Sequence, residues 1–262
     1  MTEPTVEPVL RSLTILSMLN RRNVSSLSTL HDETGLPKST LVRLLDTLIA
    51  GGYVRRLDRR RGYQLTDRVL HLSRGFQYSD TVLQAARPVL EKLTQKFKWP
   101  FSICTLRGSQ MRIRFSTIFH APMGDSSDFG HDLIPLLPSA MGQAYLAFCS
   151  EEERSMLLRM LQQSDEAADL LARDPRYVHK LLSTVVARGY ANNLKVGAMR
   201  LSGMAVPVIV EGQVRATFSI RHYLSAMSAD EAAVLYLPRM QEASREIAAA
   251  TLEMEEADVL QV

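Results

Sequence analysis

Cysteine is scarce in this chain, with Cys104 and Cys149 the only two among 262 residues. They stand 45 positions apart in mostly apolar segments, which is typical of packed, reduced thiols rather than of a disulfide or a metal site. The six histidines form no HxxxH pair and no zinc-type pattern with cysteine or carboxylate residues. We therefore expect no metal, no cofactor and no catalytic residues.

Long apolar runs are also missing. No stretch approaches the roughly 18 apolar residues that a membrane-spanning helix needs. The opening MTEPTVEPVL has no basic segment followed by an apolar core, so we predict no signal peptide. We expect a cytoplasmic protein that does not contact a membrane, and the 46% hydrophobic content over this length favours two domains.

Basic charge is concentrated at one end of the sequence. Residues 1–80 contain 12 Lys and Arg against 8 Asp and Glu, whereas the remainder contains 19 against 20. The amino-terminal part therefore carries the positive charge that a polyanionic partner such as DNA requires.

The segment Leu27–Leu65 reads as two helices joined by a tight turn and followed by a β-hairpin, which is the pattern of a winged helix-turn-helix. Gly35 ends the first helix with a positive φ, and Pro37 occupies the first position of the second. Four leucines at helical spacing give the second helix an inward face: Leu41, Leu44, Leu45 and Leu48.

This second helix is expected to read DNA by its amino-terminal end in the major groove. Four side chains then come near base edges and phosphates: Lys38, Ser39, Thr40 and Arg43. Arg43 is the candidate for a bidentate contact to guanine. The hairpin tip carries Arg59, Arg60 and Arg61, which fit a phosphate backbone or a narrow minor groove; the alternative is a merely solvated charge run.

Periodicity predicts a mixed α+β domain after this region. The first expected element is a bracing helix at Val9–Asn20, whose apolar residues are Val9, Leu13, Leu16 and Leu19. The further expected elements are a linker at 66–78 with a short helix at Asp67–Ser73, an amphipathic helix at Asp80–Lys98 that Pro88 kinks or starts, hairpin strands at Phe101–Leu106 and Met111–Ile118, a loop at His120–Asp132, helices at Ala140–Phe148, Glu151–Leu161 and Pro175–Arg188, strands at Met204–Val210 and Val214–Ile220, and a helix at Ala229–Glu255 broken or bent at Pro238. We expect three parts: residues 1–75, a linker helix at 76–98, and residues 99–262.

Five segments, taken in order, resemble the IclR-type bacterial transcriptional regulators: Gly35–Leu45, Gly51–Arg56, Ile134–Phe148, Arg188–Asn193 and Met204–Val208. The resemblance implies an amino-terminal winged helix-turn-helix and a carboxy-terminal GAF-like domain that binds a small organic acid. It also implies dimers or tetramers that act on palindromic DNA operators. Within the family, the chain most resembles activators of aromatic-acid catabolism, in particular of hydroxyphenylpropionate, at Trp99-Pro100, Ile134–Leu137, Ala147–Cys149 and Ser225–Ser228.

The resemblance also implies an effector pocket. The segment that cradles an effector carboxylate matches Ser139, Ala140, Met141 and Gly142, and free amides at a helix amino terminus favour an anion. Four further pocket positions fall at Asn193, Gly203, Ser219 and Arg221. The family often has a carboxylate at the first, a cysteine at the second and, in some members, serines at the third and fourth.

The departures from the family suggest a larger acidic effector. Glycine at 203 leaves room for an aromatic ring, and Arg221 can clamp a carboxylate. Two alternatives stay open here: Arg221 points outward or pairs with Glu211, and Met141 belongs to the core.

The sequence favours a ligand-responsive regulator over an enzyme. Alternatives are a repressor of the same family that responds to a small aliphatic carboxylate, a cysteine-dependent small-molecule enzyme with a DNA tether, and an architectural DNA-binding protein. No motif supplies the base that a cysteine nucleophile needs.

Overall fold

The computed structural model describes residues 5–22, 24–57, 62–73, 80–124, 133–195 and 201–259. These residues form two compact units, one made of the described residues through Ser73 and the other of those from Asp80 onward.

The first unit is a helix-turn-helix with a two-stranded hairpin. Its elements are α1 (Glu7–Arg21), α2 (Leu27–Thr34), α3 (Lys38–Ala50), β1 (Val54–Arg56), β2 (Tyr63–Leu65) and a 3-10 helix at Asp67–Ser73. The two strands pair antiparallel, with Val54 opposite Leu65. As predicted, α3 points leucines inward: Leu41, Leu45 and Leu48 are buried, and Leu44 packs against the same core.

The turn between α2 and α3 is fixed by its end residues. Gly35 has a φ of 67° and donates its amide to the carbonyl of His31, as its predicted role requires. Pro37 differs from the prediction: it is the N-cap, with φ −55° and ψ 139°, and α3 begins at Lys38. Its extended ψ keeps it outside the helix, although its fixed φ still suits the helix start.

The buried face of α1 agrees with the prediction only in part. Ile15 and Leu19 are buried, whereas Val9 and Leu13 are 54% and 52% exposed. At about 100° per residue, Val9 and Leu13 lie on a stripe roughly 120° from the midpoint of Ile15 and Leu19. Of the four predicted residues, Leu19 is buried and Leu16 packs against the same core, so the prediction was right for these two and wrong for Val9 and Leu13.

The second unit is an antiparallel sheet with helices on both faces. Its elements are α4 (Thr81–Phe97), β3 (Phe101–Arg107), β4 (Gln110–Ser116), β5 (Leu133–Pro135), α5 (Ala140–Phe148), α6 (Glu151–Gln162), a 3-10 helix at Ala167–Arg173, α7 (Pro175–Arg188), β6 (Ala191–Lys195), β7 (Leu201–Val210), β8 (Gln213–Tyr223) and α8 (Ala229–Val259). The strand order is β5-β4-β3-β8-β7-β6. One core packs α4 and α8 against the sheet, and a second core packs α5, α6 and α7 against the opposite face.

Prolines do not divide the two long helices. Pro238 lies inside α8, which is continuous over 31 residues, so of the two predicted effects, a break or a bend, the break is wrong. Pro88 likewise lies within α4. Tyr236 before Pro238 and Met240 after it are both buried in the same core, and this packing offsets the lost backbone hydrogen bond.

Candidate functional site

The amino-terminal end of α3 presents polar side chains outward. Lys38, Ser39 and Arg43 are exposed and Thr40 is half-buried. Neither Lys38 nor Arg43 forms an ion pair with any residue that the structure describes. The predicted DNA-reading side chains therefore lie together on the first two turns of α3, available to phosphates or base edges.

The hairpin carries further cations that the sequence reasoning did not single out. Arg55 donates from Nε and Nη2 to Oε1 of Gln64, at 3.0 and 2.7 Å, across the β1–β2 pair. Arg56 lies over the ring of Tyr63, 5.7 Å from its centroid. The predicted tip, Arg59–Arg61, lies outside the described residues.

A third segment joins this hairpin at Tyr63, the first residue of β2. Ser25 and Tyr63 exchange two backbone hydrogen bonds, of 3.0 and 2.9 Å. Gly62 makes the approach possible, because a Cβ there would lie 2.3 Å from the carbonyl oxygen of Ser25, and its φ is 98°. A glycine directly before the returning strand was the available sequence signal for this close contact.

The first turn of α5 forms a partly unsatisfied helix amino terminus in the second unit. The Oγ of Ser139 accepts from the amide of Gly142 at 3.0 Å and donates to the carbonyl of Pro135 at 2.7 Å. The carbonyl of Ser139 accepts from the amide of Gln143. Within the described residues, the amides of Ala140 and Met141 are left without an intrahelical acceptor, which favours an anion at this end.

Close packing requires glycine at position 142. A Cβ on this residue would lie 2.2 Å from the carbonyl oxygen of Leu136. The glycine therefore lets the α5 turn approach the segment that precedes it.

Three predicted pocket residues lie side by side on neighbouring strands. Asn193 on β6 faces Gly203 on β7, and Gly203 faces Arg221 on β8. A Cβ on Gly203 would lie 2.7 Å from Oδ1 of Asn193 and 4.0 Å from Cβ of Ala140, so the start of α5 lies directly over this row. Asn193 also donates from Nδ2 to the carbonyl of Pro138, at 3.1 Å. Part of the room that we expected glycine to leave for a ligand is thus occupied by Asn193.

Strand register places Arg221 on the α5 side of the sheet. Phe218 and Ile220 point into the core with α4 and α8, so Ser219 and Arg221 face the opposite way. The alternative pairing of Arg221 with Glu211 is wrong, because Glu211 lies in the turn at the far end of the β7–β8 hairpin.

Met141 and the cysteines belong to packed surroundings. Sδ of Met141 lies 2.9 Å from Sγ of Cys104. Burial raises the pKa of the Cys104 thiol, and burial together with the Glu153 carboxylate raises the pKa of Cys149 to about 11. Both thiols are free and buried, and they stay protonated at neutral pH, which disfavours a nucleophilic role.

Over the described ranges, no group of three or more His, Cys, Asp or Glu side chains is arranged to hold a metal ion. No helix in the same ranges is long and apolar enough to cross a bilayer.

Two family models match the chain, one on each unit. Residues 8–58 match the IclR helix-turn-helix domain, and residues 78–249 match the bacterial transcriptional regulator IclR C-terminal domain.

Solved structures share the fold along nearly the whole chain. The Thermotoga maritima IclR is 17% identical, with a TM-score of 0.62 over 94% of this chain and 99% of that one. An IclR homologue from Microbacterium hydrocarbonoxydans, complexed with 4-hydroxybenzoate, is 19% identical, with a TM-score of 0.59 over 94% and 99%. An IclR family regulator from Brucella abortus is 21% identical, with a TM-score of 0.54 over 95% and 94%.

Proposed function

This chain belongs to the IclR family of bacterial transcriptional regulators, and on that premise we propose that it activates an aromatic-acid catabolic operon when an organic acid binds its second unit. The observation that carries this proposal is the juxtaposition of the α5 amino terminus with Arg221 on the sheet beneath it. In this proposal residues 1–75 read DNA, residues 76–98, which include α4, are the linker, and residues 99–262 bind the effector.

The DNA-binding role rests on the helix-turn-helix. We propose that Arg43 reads a base edge while Lys38, Ser39 and Thr40 fix the helix on the backbone. Arg59–Arg61 would add contacts to the backbone or the minor groove. Because one short helix reads few base pairs, a homodimer or tetramer on a palindromic site would provide the specificity.

The effector role rests on two sources of positive potential at one place. The free amides of Ala140 and Met141 offer hydrogen bonds, and the Arg221 guanidinium supplies a full charge from the same side of the sheet. The 4-hydroxybenzoate bound by the Microbacterium homologue supports an aromatic acid as the class of ligand. The rest of the ligand would be selected by packing.

We also propose that the protein is cytoplasmic, is not an enzyme and uses neither a metal nor a cofactor. The raised thiol pKa values of Cys104 and Cys149 speak against the cysteine-dependent alternative.

Fluorescence anisotropy with the full-length protein tests this function. A palindromic duplex selected from a random pool is labelled, and the protein is titrated with and without aromatic acids. We expect specific binding, saturable acid binding without turnover, and increased transcription from a reporter carrying the site. Decreased transcription, relieved by an aliphatic acid, would instead identify a repressor. Turnover of the acid would overturn the proposal in favour of an enzyme, and no response would favour an architectural protein.

A further inference from the structure

A row of hydroxyl groups crosses the sheet next to the proposed carboxylate anchor. Ser219 on β8 lies opposite Ser102 on β3, and Ser102 lies opposite Ser116 on β4. Register places all three on the face that carries Cys104 and α5, because Phe101 and Ile103 point into the other core. Three adjacent strands therefore offer serine side chains to the same face.

The hydrogen bonds of these serines leave capacity for a ligand. Ser102 and Ser116 share one hydrogen bond of 2.8 Å between their Oγ atoms, so one of their two hydroxyl hydrogens remains to be donated. The amide of Ile118 donates to Oγ of Ser116 at 3.3 Å, which uses one acceptor site. Ser219 is buried and makes no side-chain hydrogen bond to any residue that the structure describes. The unused hydrogen-bonding capacity of these hydroxyls can therefore be taken up by a polar group of a ligand on this face.

The first turn of α5 spans β8 and β3, which carry Ser219 and Ser102. Ala140 lies over Gly203 on β7, whereas Met141 contacts Cys104 on β3, with β8 between those strands. Ser219 and Ser102 therefore lie beside the free amides of α5, not at a distant edge. Ser219 is two residues along β8 from Arg221, and Ser102 is one strand further. Their Cα atoms are thus separated from that of Arg221 by about 7 Å and about 8 Å, respectively.

We propose that Ser102 and Ser116, with Ser219, bind a second polar group of the effector and select acids that carry a hydroxyl or carbonyl group across a ring from the carboxylate. This inference rests on the proposed function, because the carboxylate must first be held by Arg221 and the α5 amides. A ligand hydroxyl can accept from the spare serine hydrogen and donate to a serine lone pair. An unsubstituted ring would leave these groups unpaired, so the serine row discriminates against it.

Calorimetry with matched ligand pairs tests the proposal. The probes are para-hydroxyphenylpropanoate against phenylpropanoate, and 4-hydroxybenzoate against benzoate. The proteins are wild type, the double variant Ser102→Ala/Ser116→Ala, and the control Ser202→Ala. Ser202 is buried on the opposite face of β7, opposite His222, so its hydroxyl cannot contact a ligand beneath α5.

We expect the hydroxylated acid of at least one pair to bind wild type about tenfold more tightly than its unsubstituted partner. In the double variant this ratio should fall to roughly threefold or less, while the affinity for the unsubstituted acid stays within about twofold, which shows that the pocket is still folded. Ser202→Ala should keep the wild-type ratio.

The other outcomes overturn the inference in distinguishable ways. If wild type binds both members of each pair equally well, the proposed serine site is wrong, whereas the proposed carboxylate site is unaffected. An unchanged ratio in the double variant would assign the discrimination to other residues. If neither pair binds wild type, the aromatic-acid effector itself is wrong, and the serine site falls with it.

Discussion

The side-chain oxygen Oδ1 of Asn193 lies 2.7 Å from the point that a Cβ on Gly203 would occupy. The same amide donates to the carbonyl of Pro138, just before α5. Glycine at 203 therefore allows Asn193 to fold across β7 and hold the segment that leads into the α5 turn. The side chain of Asn193 on β6 thus fills the space that Gly203 leaves open on β7.

A double-mutant cycle should show this pairing as non-additive stability. Gly203→Ala should lower the free energy of unfolding by about 1–3 kcal/mol, because the added methyl group displaces a held side chain. Asn193→Ala should cost about 1 kcal/mol through the lost hydrogen bond. In the Asn193→Ala background, Gly203→Ala should leave the free energy of unfolding almost unchanged. Urea unfolding of the four proteins measures the coupling, and strictly additive values would show that the two side chains do not compete for space.

Arg221→Ser should weaken binding of an aromatic acid by about ten- to a hundredfold, because a charge-assisted hydrogen bond contributes roughly 1.5–3 kcal/mol. DNA affinity without effector should be unchanged. Arg221→Lys should recover only part of the loss, since it keeps the charge but not the planar fork. Calorimetry with the acid and its neutral amide measures this effect; if wild type binds both equally well, no carboxylate clamp exists.

Helix-capping residues explain why the boundaries of two helices were predicted correctly. α5 and α7 begin and end where predicted, because Ser139 and Asp174 cap their starts and Gly189 ends α7 with a φ of 75°. In contrast, β6 was not predicted: its Asn192 and Asn193 have low strand propensity and its identity as a strand comes from pairing with β7. Short segments of this kind carry too little periodicity to reveal a strand by themselves.

The sequence named candidate site residues, but it did not predict how they lie relative to one another. The resemblance supplied Asn193, Gly203 and Arg221, whereas their alignment in one row depends on the pairing of three strands. The contact between Asn193 and Gly203 likewise depends on the side-chain conformation of Asn193. Neither relation has a local sequence signal, because strand register is set by pairing between distant segments.

Arg43→Ala should cost about 1–3 kcal/mol on the cognate duplex and much less on a scrambled one, because loss of a base contact removes discrimination. Arg11→Ala provides a charge-matched control, since Arg11 is an exposed arginine on α1 paired with Glu7 at 3.3 Å. Gel-shift titrations at one fixed salt concentration measure both variants. Equal losses on the two duplexes would make Arg43 a phosphate contact.

Gly62→Ala should abolish DNA binding while leaving the second unit folded. The added Cβ would collide with the Ser25 carbonyl at 2.3 Å and break the bridge that joins Ser25 to Tyr63. Gly35→Ala is the matched control in the same unit, because its φ of 67° is similarly unfavourable but no atom lies within 4 Å of the new Cβ. We expect it to lower the free energy of unfolding by about 1–2 kcal/mol. Trp99, the single tryptophan, reports the second unit by fluorescence. Similar DNA-binding losses for the two variants would contradict a role for the close contact.

His222 should make the second unit less stable in mild acid. Its ring is buried, neither nitrogen has a hydrogen-bond partner among the described residues, and Trp99 lies 6.3 Å away between ring centroids. Burial holds the pKa of His222 below its ordinary value of about 6.5, because the charged form loses its hydration.

Between the folded and unfolded pKa values, the unfolded chain binds more protons than the folded one. The contribution of neutral His222 to the free energy of unfolding is therefore fully present above about pH 6.5. It is lost as the pH falls, by at most about 1.4 kcal/mol per pH unit. His222→Leu should flatten this part of the profile, whereas His179→Gln, a change at an exposed position on α7, should leave it as in wild type. Urea unfolding followed by Trp99 fluorescence between pH 5 and pH 8 measures the difference between variant and wild type, which cancels the titration of the carboxylates. Parallel profiles for wild type and His222→Leu would mean that His222 is accommodated equally well in its charged form.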